Sequence, residues 1–353
     1  MIVRLVGSEM CIRDRHNGYS PSYGLPALRE ALARDEQRKG WPATPDDIYV
    51  CHGVTEALQL IFAAVLEEGT KVLAPGPHYP PYMAYPQMYG AETVEYQLHS
   101  TDQWKPDFSD IRAKMDDDVR LLVLINPNNP CGSVCGPDDI DALLAIARDF
   151  PNCIVVADEI YDGLDFTGEQ VSVASRSTDV PVIALNGVSK VYYAPGWRIG
   201  YMALHDPQRR LTLVRDGLER LLRSRLCAST PAQMGYLAGL EGDRGWMEVY
   251  AQRVQQQRDH CLRRIQGIDG LEVEHPGGAF YMFIRLTDER WAADDKAFVL
   301  DLLHEEHVLL VHGSGFSPDL GKGHVRLVYL ADVSVLDEVF DRIDRFLKKH
   351  RQG

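Results

Sequence analysis

Four short apolar runs set the strongest limit on how this chain folds. "KVLAPG" (71–76), "RLLVLI" (120–125), "CIVVADEIY" (153–161) and "VIALNG" (182–187) are apolar at nearly every position rather than at alternate ones. A strand with apolar side chains on both faces is buried on both. Between and before these runs lie helical patterns, "TEALQLIFAAVLEEG" (55–69) and "DDIDALLAIARDF" (138–150). Strands of this kind alternating with helices predict an α/β fold, a mostly parallel central sheet covered by helices on both sides.

From about residue 208 the texture changes. "PQRRLTLVRDGLERLLRSRL" and "WMEVYAQRVQQQRDHCLRRIQGI" have the spacing of long amphipathic helices. They are followed by "LEVEHPGGAFYMFIRL", a helix around "DKAFVLDLLHEEH", the runs "VLLVHGSGF" and "HVRLVYL", and a closing helix "LDEVFDRIDRFLKKH". This predicts a smaller α+β domain over 270–353 and a large domain over 41–269. The helix within 16–40, with Leu25, Leu28 and Leu32 at helical spacing, is expected to associate with the small domain. The stretch "SEMCIRDR" (8–15) fits neither helix nor strand and resembles a translated adapter tail, so residues 1–15 are expected to be non-native.

The formal net charge is −14, which argues against nucleic acid and anionic membrane as partners. No apolar run reaches the length of a membrane span. Seven cysteines, an odd number, are scattered without metal-ligand spacing. They read as free thiols in a reducing, cytoplasmic compartment, and no metal is expected.

The chemistry lies in the turns that follow the strands, where ligands bind in such sheets. "HGVTEAL" (52–58) opens a helix whose N–H groups suit a phosphate. Gly53 lets the backbone come close, and Thr55 is either a further donor or a plain helix cap. In "INPNNPCG", Asn129 precedes a proline that restricts its backbone and so aims its amide. Asp158 and Glu159 end an apolar strand, where a carboxylate is costly without a cation to face. The cation is either a pyridinium nitrogen, with Tyr161 reaching the same ring, or absent, leaving a helix cap and a solvated glutamate. Lys190 stands between two strand-like runs, buried against something or exposed on a loop, and Arg198 follows in "PGWRIG". Lysine forms an imine with an aldehyde, and arginine binds phosphate as a fork. Taken together, an aldehyde on Lys190, a ring nitrogen on Asp158 and a phosphate on Arg198 and a helix N-terminus describe pyridoxal 5'-phosphate.

The combination of "NPNNP", "DEIY", "SK" and "PGWRIGY" resembles the class I/II aminotransferases of the fold-type I pyridoxal-phosphate enzymes, over residues of about 17–348. More narrowly, "LNGVSKVY", "SRLCASTPAQ" and "GHVRLVYL" look like the alanine aminotransferases. The resemblance implies a central sheet of the seven-stranded type and a homodimer with shared sites. It implies that Lys190 is the Schiff-base lysine and proton shuttle, and that Asp158 holds the ring nitrogen protonated. It gives Tyr161 and Asn129 to the ring's phenolate oxygen and Tyr79, in "PHYPPY", to stacking on the ring. The backbone of Val54 and Thr55, with Gly53, Ser189 and Arg198, falls to the phosphate. Tyr19 would reach the neighbouring subunit's phosphate.

In the same resemblance Arg326, in "HVRLVYL", takes the substrate α-carboxylate with Asn129. The residue-level alternative is an outward-facing arginine on an alternating strand. Arg225 sits where aspartate aminotransferases place an arginine for a distal carboxylate, or else belongs to a helix-surface run with Arg215, Arg220 and Arg223. Three departures stand out: Cys131 replaces a threonine, Gly187 replaces a phosphate-binding serine, and a foreign start would remove the arm that relatives close over the substrate. The implied reaction exchanges the amino group of L-alanine and L-glutamate by a ping-pong Schiff-base mechanism. An aspartate or aromatic aminotransferase, a C–S lyase, or the effector domain of a regulator also fits the cofactor residues.

Overall fold

The computed structural model describes residues 18–351; the expected foreign tail lies outside the described residues. The chain divides into two compact units, each built from separated segments. The first holds residues up to Leu66 together with Ile154–Ile160 and Ser172–Gly245, and the second holds Glu67–Cys153, Tyr161–Val171 and Trp246 onward. This differs from the contiguous division expected at 269/270. Parallel strands need crossover connections, so sequence neighbours are dealt into different ladders.

In the first unit four strands lie in the order β1 (Ile48–Cys51), β8 (Gly200–His205), β7 (Val182–Gly187), β6 (Ile154–Asp158). β7 pairs parallel with β6 and antiparallel with β8, and β8 pairs antiparallel with β1. Only β8 therefore runs against the rest. Every residue of all four strands is buried, as their unbroken apolar character requires. The Val54–Val65 helix covers them with Ala57, Leu58, Leu60, Ile61 and Phe62. Each such aliphatic side chain contributes roughly 1.5–3 kcal/mol on burial.

The second unit orders its strands β5 (Val119–Ile125), β2 (Lys71–Gly76), β3 (Glu92–His99), β4 (Lys105–Pro106). The first three are parallel, and β4 pairs antiparallel with the end of β3. A separate antiparallel sheet follows, in the order β11 (Val311–His312), β12 (His324–Val328), β10 (Tyr281–Leu286), β9 (Leu271–Val273). The helices Asp295–Glu306 and Val333–Arg351 pack on each other beside it. Among the described residues no helix is long and apolar enough to cross a membrane.

The Pro26–Arg38 helix was expected beside the C-terminal domain. Its contacts instead lie in the first unit, on the Thr230–Glu241 helix and β1. The reason is a buried carboxylate. Glu36 is fully enclosed and accepts from Tyr201 Oη at 2.5 Å, Trp41 Nε1 at 2.9 Å and Lys39 Nζ at 2.8 Å. Burial and then Glu36 hold the Tyr201 phenol well above its usual pKa, so it remains a donor. A buried charge persists only when satisfied in this way. Glu36→Leu leaves two buried donors without an acceptor and is expected to lower unfolding stability by about 2–4 kcal/mol. Glu36→Gln should lose roughly half of that. Urea unfolding of the two variants checks it, and a Glu36→Leu protein as stable as the wild type contradicts it.

Candidate active site

Three glycines build one end of the first unit. Gly187 and Gly200 face each other across β7 and β8, where a Cβ on Gly187 would lie 2.6 Å from Gly200 Cα. A Cβ on Gly200 would in turn lie 3.0 Å from Gly53 Cα. The helix beginning at Val54 is thereby seated directly on the strand ends. This also explains Gly187 at the position where a serine was expected: no side chain fits there. Gly53 has φ +77° and no side chain caps the helix it starts. A Cβ on Gly53 would meet Arg198 Nη2 at 2.6 Å.

Arg198 itself is left-handed, with φ 51°, a conformation that a non-glycine residue adopts at a cost of roughly 1 kcal/mol. Its Nη1 donates to Pro195 O at 3.0 Å and Ser189 Oγ at 3.4 Å, and its Nη2 to His52 O at 3.4 Å. No carboxylate among the described residues pairs with it. An uncapped helix N-terminus, an arginine fork and a serine hydroxyl are donors of the kind that suit a phosphate monoester. Lys190 follows Ser189 beyond β7 and is half-buried, less deep than its flanking strands suggested.

Of the two acids ending β6, Asp158 is 4% exposed and Glu159 1%. Glu159 Oε1 accepts the Val173 N–H at 2.9 Å, so it caps a neighbouring turn and is not solvated. Asp158 stands in register with Leu185 of β7 and accepts the Ile160 N–H at 3.3 Å.

The second unit holds the other expected residues. Gly132, with φ +72°, ends the Asn-Pro turn; a Cβ there would lie 2.7 Å from Pro276 Cβ and 3.0 Å from Tyr281 O. Gly278 donates its N–H to Gly132 O at 2.9 Å. This close approach sets the turn against the small antiparallel sheet. Asn129 Oδ1 then accepts from Arg326 Nη1 at 2.7 Å.

Arg326 is half-buried at the centre of β12, with Val325 and Leu327 enclosed on the other face. Its guanidinium lies between two rings, 4.5 Å from the Tyr281 centroid and 4.6 Å from that of Phe316. Its Nε is buried without a hydrogen-bond partner, and no carboxylate among the described residues pairs with it. Burial pushes its pKa down from the usual arginine range, opposed by Tyr281, Tyr161 and Tyr79. A cation so placed is suited to a small carboxylate offering two oxygens. Tyr161, 2% exposed, bonds Tyr281 Oη through its own hydroxyl at 2.9 Å. Tyr79 is half-buried in the turn after β2.

Tyr281 and Phe316 were not singled out from sequence. In "GGAFYMF" and "GSGFS" an aromatic residue reads as core. Gln233 was also missed: fully buried, it donates to Ser20 Oγ at 2.9 Å and accepts the Leu25 N–H at 2.7 Å. With Thr230 Oγ1 on Gly18 O at 2.8 Å, it fixes the segment that carries Tyr19, which is 85% exposed. Arg225 is no surface residue. Its Nη2 donates to Val50 O at 2.6 Å and its Nε lies 3.5 Å from Glu56 Oε1. Nε and Nη1 are buried without hydrogen-bond partners. The six described cysteines are all free.

Comparison with known proteins identifies the family. The family described as "Aminotransferase class I and II" matches residues 10–343. The glutamate-pyruvate aminotransferase AlaA of Haemophilus influenzae is 36% identical over 343 residues, 95% of this chain and 84% of its own. The alanine aminotransferase of Mycobacterium tuberculosis is 34% identical over 344 residues, 95% of this chain and 79% of its own. Among solved structures, the alanine aminotransferase of Pyrococcus furiosus superposes with a TM-score of 0.93 at 44% identity, covering 96% of this chain and 86% of that one. That likeness extends over both units, so the architecture is fold-type I. The matched span takes in every turn described above, and the chain belongs to the class I and II aminotransferases.

Proposed function

We propose that this protein exchanges the amino group between L-alanine and 2-oxoglutarate, giving pyruvate and L-glutamate, with pyridoxal 5'-phosphate as cofactor. The observation that carries the reading is Arg326, a half-buried cation with a buried, unsatisfied Nε and no carboxylate partner among the described residues. Both substrate classes, 2-amino acids and 2-oxo acids, present the α-carboxylate it lacks. The choice of alanine and glutamate is supported by the relatives, whose names state alanine and glutamate-pyruvate as their substrates.

When bound, the cofactor supplies an aldehyde carbon that takes up the amine and a protonated ring that draws off electrons released at Cα. The residues of this chain hold and direct it. The amides of Val54 and Thr55, with Gly53, Ser189 and Arg198, bind the phosphate. Asp158 keeps the ring nitrogen protonated. Tyr161 and Asn129 would bond the phenolate oxygen, and Tyr79 would stack on the ring. Lys190 would hold the aldehyde carbon through Nζ and, once released by the incoming amine, would carry the proton from the substrate Cα to that carbon. Arg326 and Asn129 would hold the α-carboxylate of the substrate.

Tyr19, exposed and held at both ends by Thr230 and Gln233, serves the phosphate of a second copy in a homodimer. Arg225 takes the distal carboxylate of 2-oxoglutarate across the dimer, its buried Nη1 without a hydrogen-bond partner being the support for that role. Free cysteines fit a reducing cytoplasm.

Two variants test the assignment. Arg326→Leu removes a charge-assisted bidentate contact and is expected to lower kcat/KM for alanine about a hundredfold or more. Measured for alanine and 2-oxoglutarate in separate half-reactions, the loss should appear in both. A normal rate for either sinks the carboxylate role. Arg225→Leu should raise the KM for 2-oxoglutarate roughly tenfold while leaving that for pyruvate in place. Equal changes for the two oxo acids assign Arg225 to structure alone.

A further inference from the structure

We infer that Tyr281 is a positioning residue with two separable duties: its hydroxyl strengthens Tyr161 as a hydrogen-bond donor, and its ring seats Arg326 for the substrate carboxylate. The inference rests on the cofactor reading above and extends it to a residue outside the expected site.

Tyr281 is held tightly enough for both. It opens β10 in register with Val328 of β12. Two residues before it, Ala279 has φ 56° and donates its N–H to Leu164 O at 2.8 Å, while Gly278 is bonded to Gly132 O. The segment is therefore tied to the stretch that follows Tyr161 and to the turn that carries Asn129. The Tyr281 and Tyr161 rings meet edge-on, with centroids 5.6 Å apart at 81°. That leaves the two hydroxyls 2.9 Å apart in a buried setting.

A phenol has one proton to give. If Tyr161 spends its proton on the ligand's phenolate oxygen, the proton between the two tyrosines must come from Tyr281. Hydrogen bonds in series polarise one another, so a Tyr161 that accepts from Tyr281 donates more strongly. Stronger donation to an oxyanion favours the charged form and lowers the pH at which the attached chromophore takes up a proton. The ring face acts separately. Arg326 has no anionic partner among the described residues, and the faces of Tyr281 and Phe316 are what it rests between. They keep the fork in plane without competing for its donors.

Two substitutions separate the duties. Tyr281→Phe deletes the hydroxyl and keeps the ring; Tyr281→Leu deletes both. Each is loaded with pyridoxal 5'-phosphate and its absorbance is titrated against pH without any amino acid. Acetate, which carries a carboxylate and no amine, is then titrated calorimetrically into the loaded proteins.

Tyr281→Phe should raise the pH midpoint of the colour change by about half a unit or more and leave the acetate dissociation constant within about twofold. Tyr281→Leu should raise the midpoint similarly and weaken acetate about fivefold or more. A Tyr281→Phe midpoint equal to the wild type overturns the first duty. Equal acetate affinities in Tyr281→Leu and the wild type overturn the second. A packing role alone would move both readouts only in Tyr281→Leu, which also overturns the inference. A wild-type protein that forms no coloured complex fails the cofactor reading itself, and the inference falls with it.

Discussion

The second unit holds a half-buried guanidinium that has no anionic partner among the described residues. Such a charge is costly, and a fold that keeps one must hold it in place and leave the missing partner a way in. Arg326 meets the first condition through Asn129 and two aromatic faces. Its unsatisfied Nε meets the second. Many local features follow from it. Gly132 must be glycine for the Asn-Pro turn to approach the small sheet, and Ala279 must accept a left-handed backbone for Tyr281 to face the guanidinium. The neighbouring rings do the work that a carboxylate does in an ordinary ion pair, but weakly enough to be outbid by a substrate.

In the proposed function the first unit faces the complementary problem, that of holding an anion with little positive charge. Its means is geometric. Removing the Cβ at Gly53, Gly187 and Gly200 brings a helix N-terminus onto the ends of β7 and β8. Partial charges on uncapped N–H groups and a single exposed arginine are what it offers an anion, in a chain whose net charge is −14. Lys190 follows the same strand end, so the residues that would grip the two ends of one small molecule descend from one sheet edge.

Much of this was legible in the sequence because it depends on local pattern. Unbroken apolar runs identified β2, β5, β6 and β7, and the turns after them carried the polar residues that stand out. What was missed depends on partners distant in sequence. The helix Pro26–Arg38 showed which face it buries but not that Glu36 would bond Tyr201, so its neighbours were misjudged. β3 went unread because its residues are mostly half-exposed and include several charges, which carries no clear period. Tyr281 and Phe316 looked like core residues, since nothing in an aromatic side chain announces that an arginine will lie on its face. Gly187 looked like a departure from the family until its contact with Gly200 appeared.

The central claim is that Lys190 and Arg326 serve one cofactor-dependent amino-group transfer. The most direct test is the absorption spectrum of the purified protein with pyridoxal 5'-phosphate, taken before and after L-alanine, beside a Lys190→Ala variant. The account predicts a yellow band in the wild type that L-alanine bleaches with release of pyruvate, and no such band in Lys190→Ala. A yellow band that persists in Lys190→Ala, or one in the wild type that no amino acid bleaches, would contradict it.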